Sequence, residues 1–519
     1  MIQGAVACGH PDTLQAAEEV LGAGGNAYDA AVAGLWAACV AEPLLVSPGG
    51  GGFLLARPAH GRSRLYDFFC QTPGRRLGPD EEDFRKIEAD FGSARQAFHI
   101  GMGAAAVPGL PAGAFRVLDD LGRMTMADAV QPARRLAREG VRVNELQARL
   151  ARVLLPILMD TVEVEVLFGI EGRLLAAGDL HRLEELGDFV EALALEGPDL
   201  FYRGEVSASL DALSQSKGGH LRRSDLESYR VQLRTPLEVP FRDHRFLTNP
   251  PPSSGGLLVG FGLALLSGAP TPSTAVEQAA RIAGTLEAMR RARRMEGLES
   301  EVPLDAAGRV LASHLIDRYR EVVAAHAPGR NGTTHISIVD RWGNAAALTA
   351  SNGEGCGRLI PGAGAMLNNM LGEEDLQPAG FGRWPTDTRL TSMMAPSILE
   401  GRQGQAQREG RLVVLGSGGS NRIRSAILQV AAALVEGGLP AMEAVARPRL
   451  HVEGPCLEIE GGFPPDVVEA LTAAWPHHRV WEDADLFFGG VHLVARSARG
   501  WVGAGDPRRG GVARVLDRA

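Results

Sequence analysis

The segment that most limits how this chain can fold is Asn331-Gly332-Thr333-Thr334-His335-Ile336-Ser337-Ile338-Val339-Asp340. A break of small residues stands immediately before a short, apolar, β-branched run. His335 to Val339 therefore reads as a buried strand. Asp340-Arg341-Trp342-Gly343-Asn344 has turn composition, and Ala345 to Thr349 reads as the returning strand of a hairpin. On composition alone, Asn331-Gly332 is an ordinary turn pair. A second passage of interest follows. Arg411 to Leu415 reads as a strand, Gly416-Ser417-Gly418-Gly419-Ser420 as a glycine loop, and Ile423 to Val435 as a helix.

Helical patterns dominate the rest. Leu14 to Leu21 has helical spacing and ends near Gly22, Gly24 and Gly25. Asn26 to Val40 is alanine-rich and apolar almost all round, which predicts burial. A four-glycine run, Gly49 to Gly52, breaks the pattern. Residues 125–155, 180–230 and 275–325 read as helical. Gly255 to Ala269, after the proline-rich corner Pro250 to Gly256, reads as a buried helix, too short and glycine-rich to span a bilayer. Short strands, Gly490 to Arg496 and Gly500 to Val502, close the chain. This mixture predicts an α/β (α+β) protein with sheets covered by helices. At 519 residues it is two domains or one large layered unit.

Composition narrows function by exclusion. The chain has 53 basic and 62 acidic groups, a formal charge of −9, which repels phosphate backbones, so no nucleic-acid partner is expected. Lys86 and Lys217 are its only lysines, so the run Arg290, Arg291, Arg293 and Arg294 reads as compositional bias on a solvated helix face. The five cysteines are scattered without a C-x-x-C. That pattern predicts neither a disulfide framework nor a zinc site, and it fits a reducing compartment. His477-His478 reads as surface, and no metal or organic cofactor is implied. Met1-Ile2-Gln3-Gly4 carries no basic and apolar leader, which makes the cytoplasm the expected location. No membrane association is expected.

The segment around Thr333 resembles the processing site of the gamma-glutamyltransferases. Other stretches resemble that family in the same order along the chain. They include Gly24-Gly25-Asn26-Ala27-Tyr28-Asp29-Ala30-Ala31, then Glu42-Pro43 with Gly49-Gly50-Gly51-Gly52-Phe53, then Val130-Gln131-Pro132-Ala133 and Phe201-Tyr202-Arg203-Gly204. Pro250 to Gly256, Leu367-Asn368-Asn369, Ser392-Met393-Met394-Ala395-Pro396 and Gly505-Asp506-Pro507-Arg508-Arg509 complete the set. The resemblance covers nearly the whole chain. It implies a four-layer αββα sandwich of the N-terminal-nucleophile hydrolase type. It also implies autocatalytic cleavage between Gly332 and Thr333 of a zymogen, giving segments 1–332 and 333–519 that stay associated in one intertwined sandwich. A homodimer is left open.

The chemistry suits those residues. A threonine hydroxyl is a poor nucleophile and needs a base beside it. Once Thr333 is a chain terminus, its own α-amine, with a reference pKa of roughly 7.7–8.0, serves as that base. Gly332 offers little obstruction to attack on its carbonyl. The resemblance then implies an enzyme that cleaves or transfers small-molecule gamma-glutamyl amides, glutathione-like, through an acyl-enzyme. His335 shares a strand face with Thr333 but is read as structural. Backbone N–H groups of the glycine loop are expected to bind the oxyanion, at Gly418-Gly419 or Gly419-Ser420. A phosphate-binding loop is the competing reading, although the Gly-Lys-Ser/Thr ending is absent.

The resemblance matches Ser351 and Asn352 to residues that contact nucleophile and substrate, and Ser392 to one of two serines that hold the glutamyl carboxylate. An arginine for the α-carboxylate has only Arg75 or Arg76 as candidates, and the acid for the α-amino group is Glu373, Glu374 or Asp375. Departures concentrate here. Phe68-Phe69-Cys70-Gln71-Thr72-Pro73 stands for a Phe-Arg-Glu-x-x-Pro pattern, Met393 replaces the second serine, and Met370 replaces a glutamine. The pocket is therefore expected to be less polar and more open. Two alternatives stand beside the gamma-glutamyl reading: an acylase or amidohydrolase for a different amide, and a non-catalytic homologue.

Overall fold

Every residue of Thr334–Asp340 and Ala345–Ser351 is buried, so the hairpin cannot lie at a surface and must be covered on both faces. The computed structural model describes residues 4–90, 95–170, 172–298, 302–320, 326–327, 333–377, 380–401, 412–497 and 500–516. Asn331, Gly332 and Arg411 lie outside them. The hairpin occupies the middle of a seven-stranded antiparallel sheet. Its order is Gln232–Arg234, Arg64–Phe68, Gly51–Arg57, Ala345–Ser351, Thr334–Asp340, Gly4–Cys8, Val512–Leu516. A six-stranded antiparallel sheet runs Leu237–Phe241, His244–Thr248, Ser397–Gly401, Leu412–Gly418, Gly490–Ser497, Gly500–Ala504.

The two sheets face one another, with Thr334–Asp340 packed on Leu412–Gly418 and Gly490–Ser497. Helices Pro11–Gly22 and Ala27–Ala41 cover the outside of the first sheet; Ser254–Ser267 and Arg422–Val435 cover the second. This is the four-layer αββα sandwich that the resemblance implied. Strand alternation divides its core. Ile336, Ile338, Ala346 and Leu348 join the helix Ala27–Ala41 in one apolar body. Val339, Ala345 and Ala347 join Val413, Leu415 and Phe261 in the other. Strands from both sides of position 333 interleave, since Gly4–Cys8 lies between Thr334–Asp340 and Val512–Leu516.

Local signals account for the anchoring elements. Asn26 caps Ala27–Ala41: its side chain accepts from Tyr28 N (2.8 Å) and Asp29 N (3.1 Å), and Asp29 accepts in return from Asn26 N (2.7 Å). Asp340 stops the hairpin strand by accepting from Trp342 N (2.9 Å) and Asn344 N (3.0 Å). Its other oxygen accepts from Ala27 N at 3.0 Å and so fixes turn to helix.

The glycine run is not merely a break. Gly51 and Gly52 open a central strand, pairing with Ser351 and Ala350. A side chain on Gly50 would strike the carbonyl oxygen of Ser351. The arginine run also departs from expectation. Arg294 is exposed, but Arg293 is buried and bonds Asn421 Oδ1 at 3.1 Å, while Arg290 and Arg291 pair with the fully buried Glu287. Periodicity cannot reveal a partner that arrives from another layer. No helix among the described residues is long and apolar enough to cross a membrane. Gly50→Ala is expected to lower unfolding stability by about 1–3 kcal/mol, as overpacking does, measured by urea denaturation.

Candidate active site

Thr333 stands one residue before the first ladder pair of its strand, Thr334 with Ala350, and is 4% exposed. That register sets it opposite Ser351. Ser351 Oγ accepts from Gly353 N at 2.9 Å, which turns the chain away after the strand. From the facing sheet comes Gly418. Any side chain there would collide with the Thr333 carbonyl oxygen, so only glycine permits this approach. Gly419 and Ser420 follow with positive φ (116° and 48°) and lead into Arg422–Val435. Among the described residues, no acceptor is paired with the N–H of Gly419 or of Ser420. The Ser420 hydroxyl is committed: it donates to Asp375 Oδ2 at 2.8 Å, while Asn421 Nδ2 donates to Asp375 Oδ1 at 2.7 Å. Asp375 thus pins the loop.

His335 is fully buried beneath Gly416. Its Nδ1 meets Thr349 Oγ1 at 2.7 Å and its Nε2 meets Ser337 Oγ at 2.9 Å. Burial, with His492 nearby, holds it well below its ordinary pKa, so it is a neutral packing histidine. The remaining predicted residues separate. Asn352 is 1% exposed, and neither atom of its carboxamide has a partner among the described residues. Glu373 is buried, and its carboxylate and Asn369 Oδ1 both crowd the Cα of Gly353, so Glu373 belongs to this corner. Glu374 is exposed. Ser392 is held at the start of helix Ser254–Ser267, its hydroxyl accepting from Met394 N at 3.1 Å and its carbonyl from Gly255 N at 3.0 Å. Arg75 and Arg76 are exposed, and Arg76 bonds Gly382 O at 2.7 Å. Gly332 lies outside the described residues.

Two residues had no assigned role in the sequence reading. Glu42 is fully buried behind strand Thr334–Asp340, accepting from Thr334 Oγ1 (2.9 Å) and Thr13 Oγ1 (3.1 Å). Burial raises its carboxyl to about 7, against the two hydroxyl bonds and Arg509, which lower it. Arg509 brings its guanidinium to Gly418 and Gly419 and donates to Leu486 O at 3.2 Å. Burial pushes its pKa down to about 10. Both lie in motifs quoted above, Glu42-Pro43 and Gly505 to Arg509. A buried charge inside a motif was the available signal. No group of three or more His, Cys, Asp or Glu among the described residues is arranged to hold a metal ion, and the five cysteines are free.

A sequence model described as Gamma-glutamyltranspeptidase matches residues 13–516. The chain belongs to the gamma-glutamyltranspeptidase family. Among its relatives, the glutathione hydrolase proenzyme of Escherichia coli (strain K12) is 30% identical over 505 residues, 91% of this chain and 85% of that protein. The acylase ACY 1 proenzyme of Pseudomonas sp. (strain SE83) is 29% identical over 544 residues, 99% of this chain and 95% of that one. The cephalosporin acylase from Bacillus halodurans shares the fold, with a TM-score of 0.86 at 22% identity, covering 100% of this chain and 96% of that one. Gamma-glutamyltranspeptidase from Helicobacter pylori reaches 0.53 at 24% identity over 60% of this chain. This member of the family therefore resembles both glutathione hydrolases and acylases.

Two outcomes follow for its site. Gly418→Ala pushes a methyl into the Thr333 carbonyl and is expected to lower the rate of cleavage next to Thr333 by at least about a hundredfold, followed by intact mass against time. Glu42 has a raised folded pKa, so its contribution to stability is complete below its ordinary 4.5 and is lost as pH rises through about 7. The wild-type Tm is expected to fall between pH 5 and 8 relative to that of Glu42→Gln, read by thermal melts across that range.

Proposed function

We propose that this protein is a self-processing amidohydrolase and acyltransferase in which Thr333 is the nucleophile of both the processing and the substrate reactions. In processing, the Thr333 hydroxyl adds to the Gly332 carbonyl. The Gly332–Thr333 C–N bond breaks as an ester to the Thr333 oxygen forms. Water then splits the ester, leaving a carboxylate on Gly332 and a free α-amine on Thr333. That amine, with a reference pKa of roughly 7.7–8.0, takes the hydroxyl proton in later turnovers. A substrate amide is opened in the same way. Its amine leaves with the proton, and water or a second amine accepts the acyl group.

The observation that carries this reading is the contact between Gly418 and the Thr333 carbonyl, which sets two N–H groups without a partner among the described residues, of Gly419 and Ser420, on the loop beside Thr333. We assign them to the oxyanion. Asn352 supplies a buried donor and acceptor for the substrate. The gamma-glutamyl amides implied by the family are supported by Glu373, a buried acid suited to an α-amino group. A second reading, an amide with a different acyl group, is favoured by the exposure of Arg75 and by the buried, apolar Phe69, Met370 and Met393. All five cysteines are free, and a reducing compartment such as the cytoplasm is the setting we propose. Intact mass of purified protein is expected to show two fragments divided between Gly332 and Thr333. Thr333→Ala should give one uncut chain with amide hydrolysis at background; cleavage or turnover persisting in that variant rejects the assignment.

A further inference from the structure

The loop after Gly418 holds two peptide planes in fixed directions. Gly418 O accepts from Ser417 Oγ at 2.7 Å, and Gly419 O accepts from Arg422 N at 3.0 Å. In a planar trans peptide the N–H points opposite to the carbonyl. The N–H of Gly419 is therefore turned away from Ser417 Oγ, and that of Ser420 away from the helix Arg422–Val435. This arrangement depends on Ser420 keeping φ at 48°. Glycine adopts a positive φ freely, as Gly419 does at 116°, but a residue with a Cβ does so only when its surroundings hold it there. The helix gives no such hold from its own end. Asn421 stands at its N-cap without a side-chain bond to the helix N–H groups.

The hold comes from another segment. Asp375 gives one carboxylate oxygen to each of two successive residues: Oδ2 accepts from Ser420 Oγ at 2.8 Å and Oδ1 from Asn421 Nδ2 at 2.7 Å. Arg293, in the last turn of Ala275–Met295, donates to Asn421 Oδ1 at 3.1 Å and to Asp375 O at 3.4 Å. Arg424 donates to Asn421 Oδ1 at 3.2 Å. Ser420, Asn421, Arg293 and Arg424 are all buried, so water is poorly placed to replace the carboxylate. Asp375 lies on the short turn Glu374–Leu376, directly after Glu373 at the Gly353 corner. One turn thus ties the glycine loop to the chain that leaves Ser351, the residue opposite Thr333.

We propose that Asp375 is a positioning residue for acyl transfer: by holding Ser420 and Asn421 it keeps the N–H groups of Gly419 and Ser420 directed at the oxyanion formed when the Thr333 oxygen adds to a substrate carbonyl. This deepens the Thr333 reading and rests on it. In that step the new O–C bond forms, the carbonyl electron pair moves to its oxygen, and the Thr333 hydroxyl proton passes to the α-amine. Negative charge at the loop exists only in this tetrahedral state, so a misdirected loop lowers kcat and leaves KM nearly unchanged. The two bonds need no charge at position 375. In Asp375→Asn the carboxamide oxygen accepts from Asn421 Nδ2, while its N–H donates to a Ser420 hydroxyl turned to accept. Asp375→Ala offers neither bond.

The test follows hydrolysis of p-nitrophenyl acetate, whose acetyl group makes little demand on an acyl pocket, with the rate of Thr333→Ala subtracted and kcat expressed per cleaved chain by intact mass. Asp375→Ala is expected to lower kcat about ten- to a hundredfold with KM within about twofold. Asp375→Asn is expected to recover kcat to within about fivefold of wild type. Ser420→Ala, which removes one of the two bonds, is expected to cost about three- to tenfold, and adding it to Asp375→Ala to cost less than about twofold more. Three results overturn the proposal: kcat of Asp375→Ala within about twofold of wild type, even if its Tm falls; a loss confined to KM; or Asp375→Asn no better than Asp375→Ala. Where Asp375→Ala gives no cleaved protein, Ser420→Ala decides, and kcat within about twofold of wild type rejects the clamp. Wild type no faster than Thr333→Ala overturns the Thr333 reading itself.

Discussion

The closeness of two strands from different sheets governs the rest of the molecule. Leu412–Gly418 reaches Thr333 because Gly416 and Gly418 present no side chains to His335 and to the Thr333 carbonyl. Around that approach, His335 and Ser337 are satisfied internally: His335 is held by Thr349 and Ser337, and Ser337 Oγ donates to His492 O at 3.1 Å. An unmet polar group in so dry a space costs more than a satisfied one gains, so this layer has one arrangement. Thr333 inherits its position from that arrangement.

A second layer of buried charge holds the glycine loop from behind. Asp506 Oδ2 accepts from Arg449 Nη2 at 2.5 Å and from Val491 N at 2.9 Å, and Arg508 Nε donates to Glu460 Oε1 at 2.6 Å. These pairs fix the turn Pro507–Arg509, and the turn carries Arg509 to Gly418 and Gly419. On the other side Asn421 accepts from Arg293 (3.1 Å) and Arg424 (3.2 Å) and donates to Asp375. Buried ion pairs contribute little net stability, yet removing one partner leaves a charge without solvent. Their use here is positional: a loop with two positive φ angles keeps one shape only when braced from both sides.

The rows of the first sheet follow from the same geometry. The row that sets Ser351 opposite Thr333 also carries Phe69, so the two ends of that row share one sheet register. A one-residue slip would turn both away together.

Read alone, the residues determined the helices and the central hairpin, because their periods of 3.6 and 2 are local properties of the chain. The ordered motifs carried the family and the αββα architecture. Glycine-rich strands were not legible. Gly51–Arg57 begins with residues whose usual meaning is a turn, and only the neighbouring carbonyls explain them. Sequence also left Glu373, Glu374 and Asp375 equivalent, three acids in a row with nothing local to rank them. Tertiary structure divided them: Glu373 buried at Gly353, Glu374 exposed, Asp375 bound to Ser420 and Asn421. It moved Arg75 to the surface and brought Glu42 to strand Thr334–Asp340 and Arg509 to the glycine loop from opposite ends of the chain. The reason is physical: a period is written in neighbours along the chain, whereas the partner of a buried charge is chosen by packing between layers.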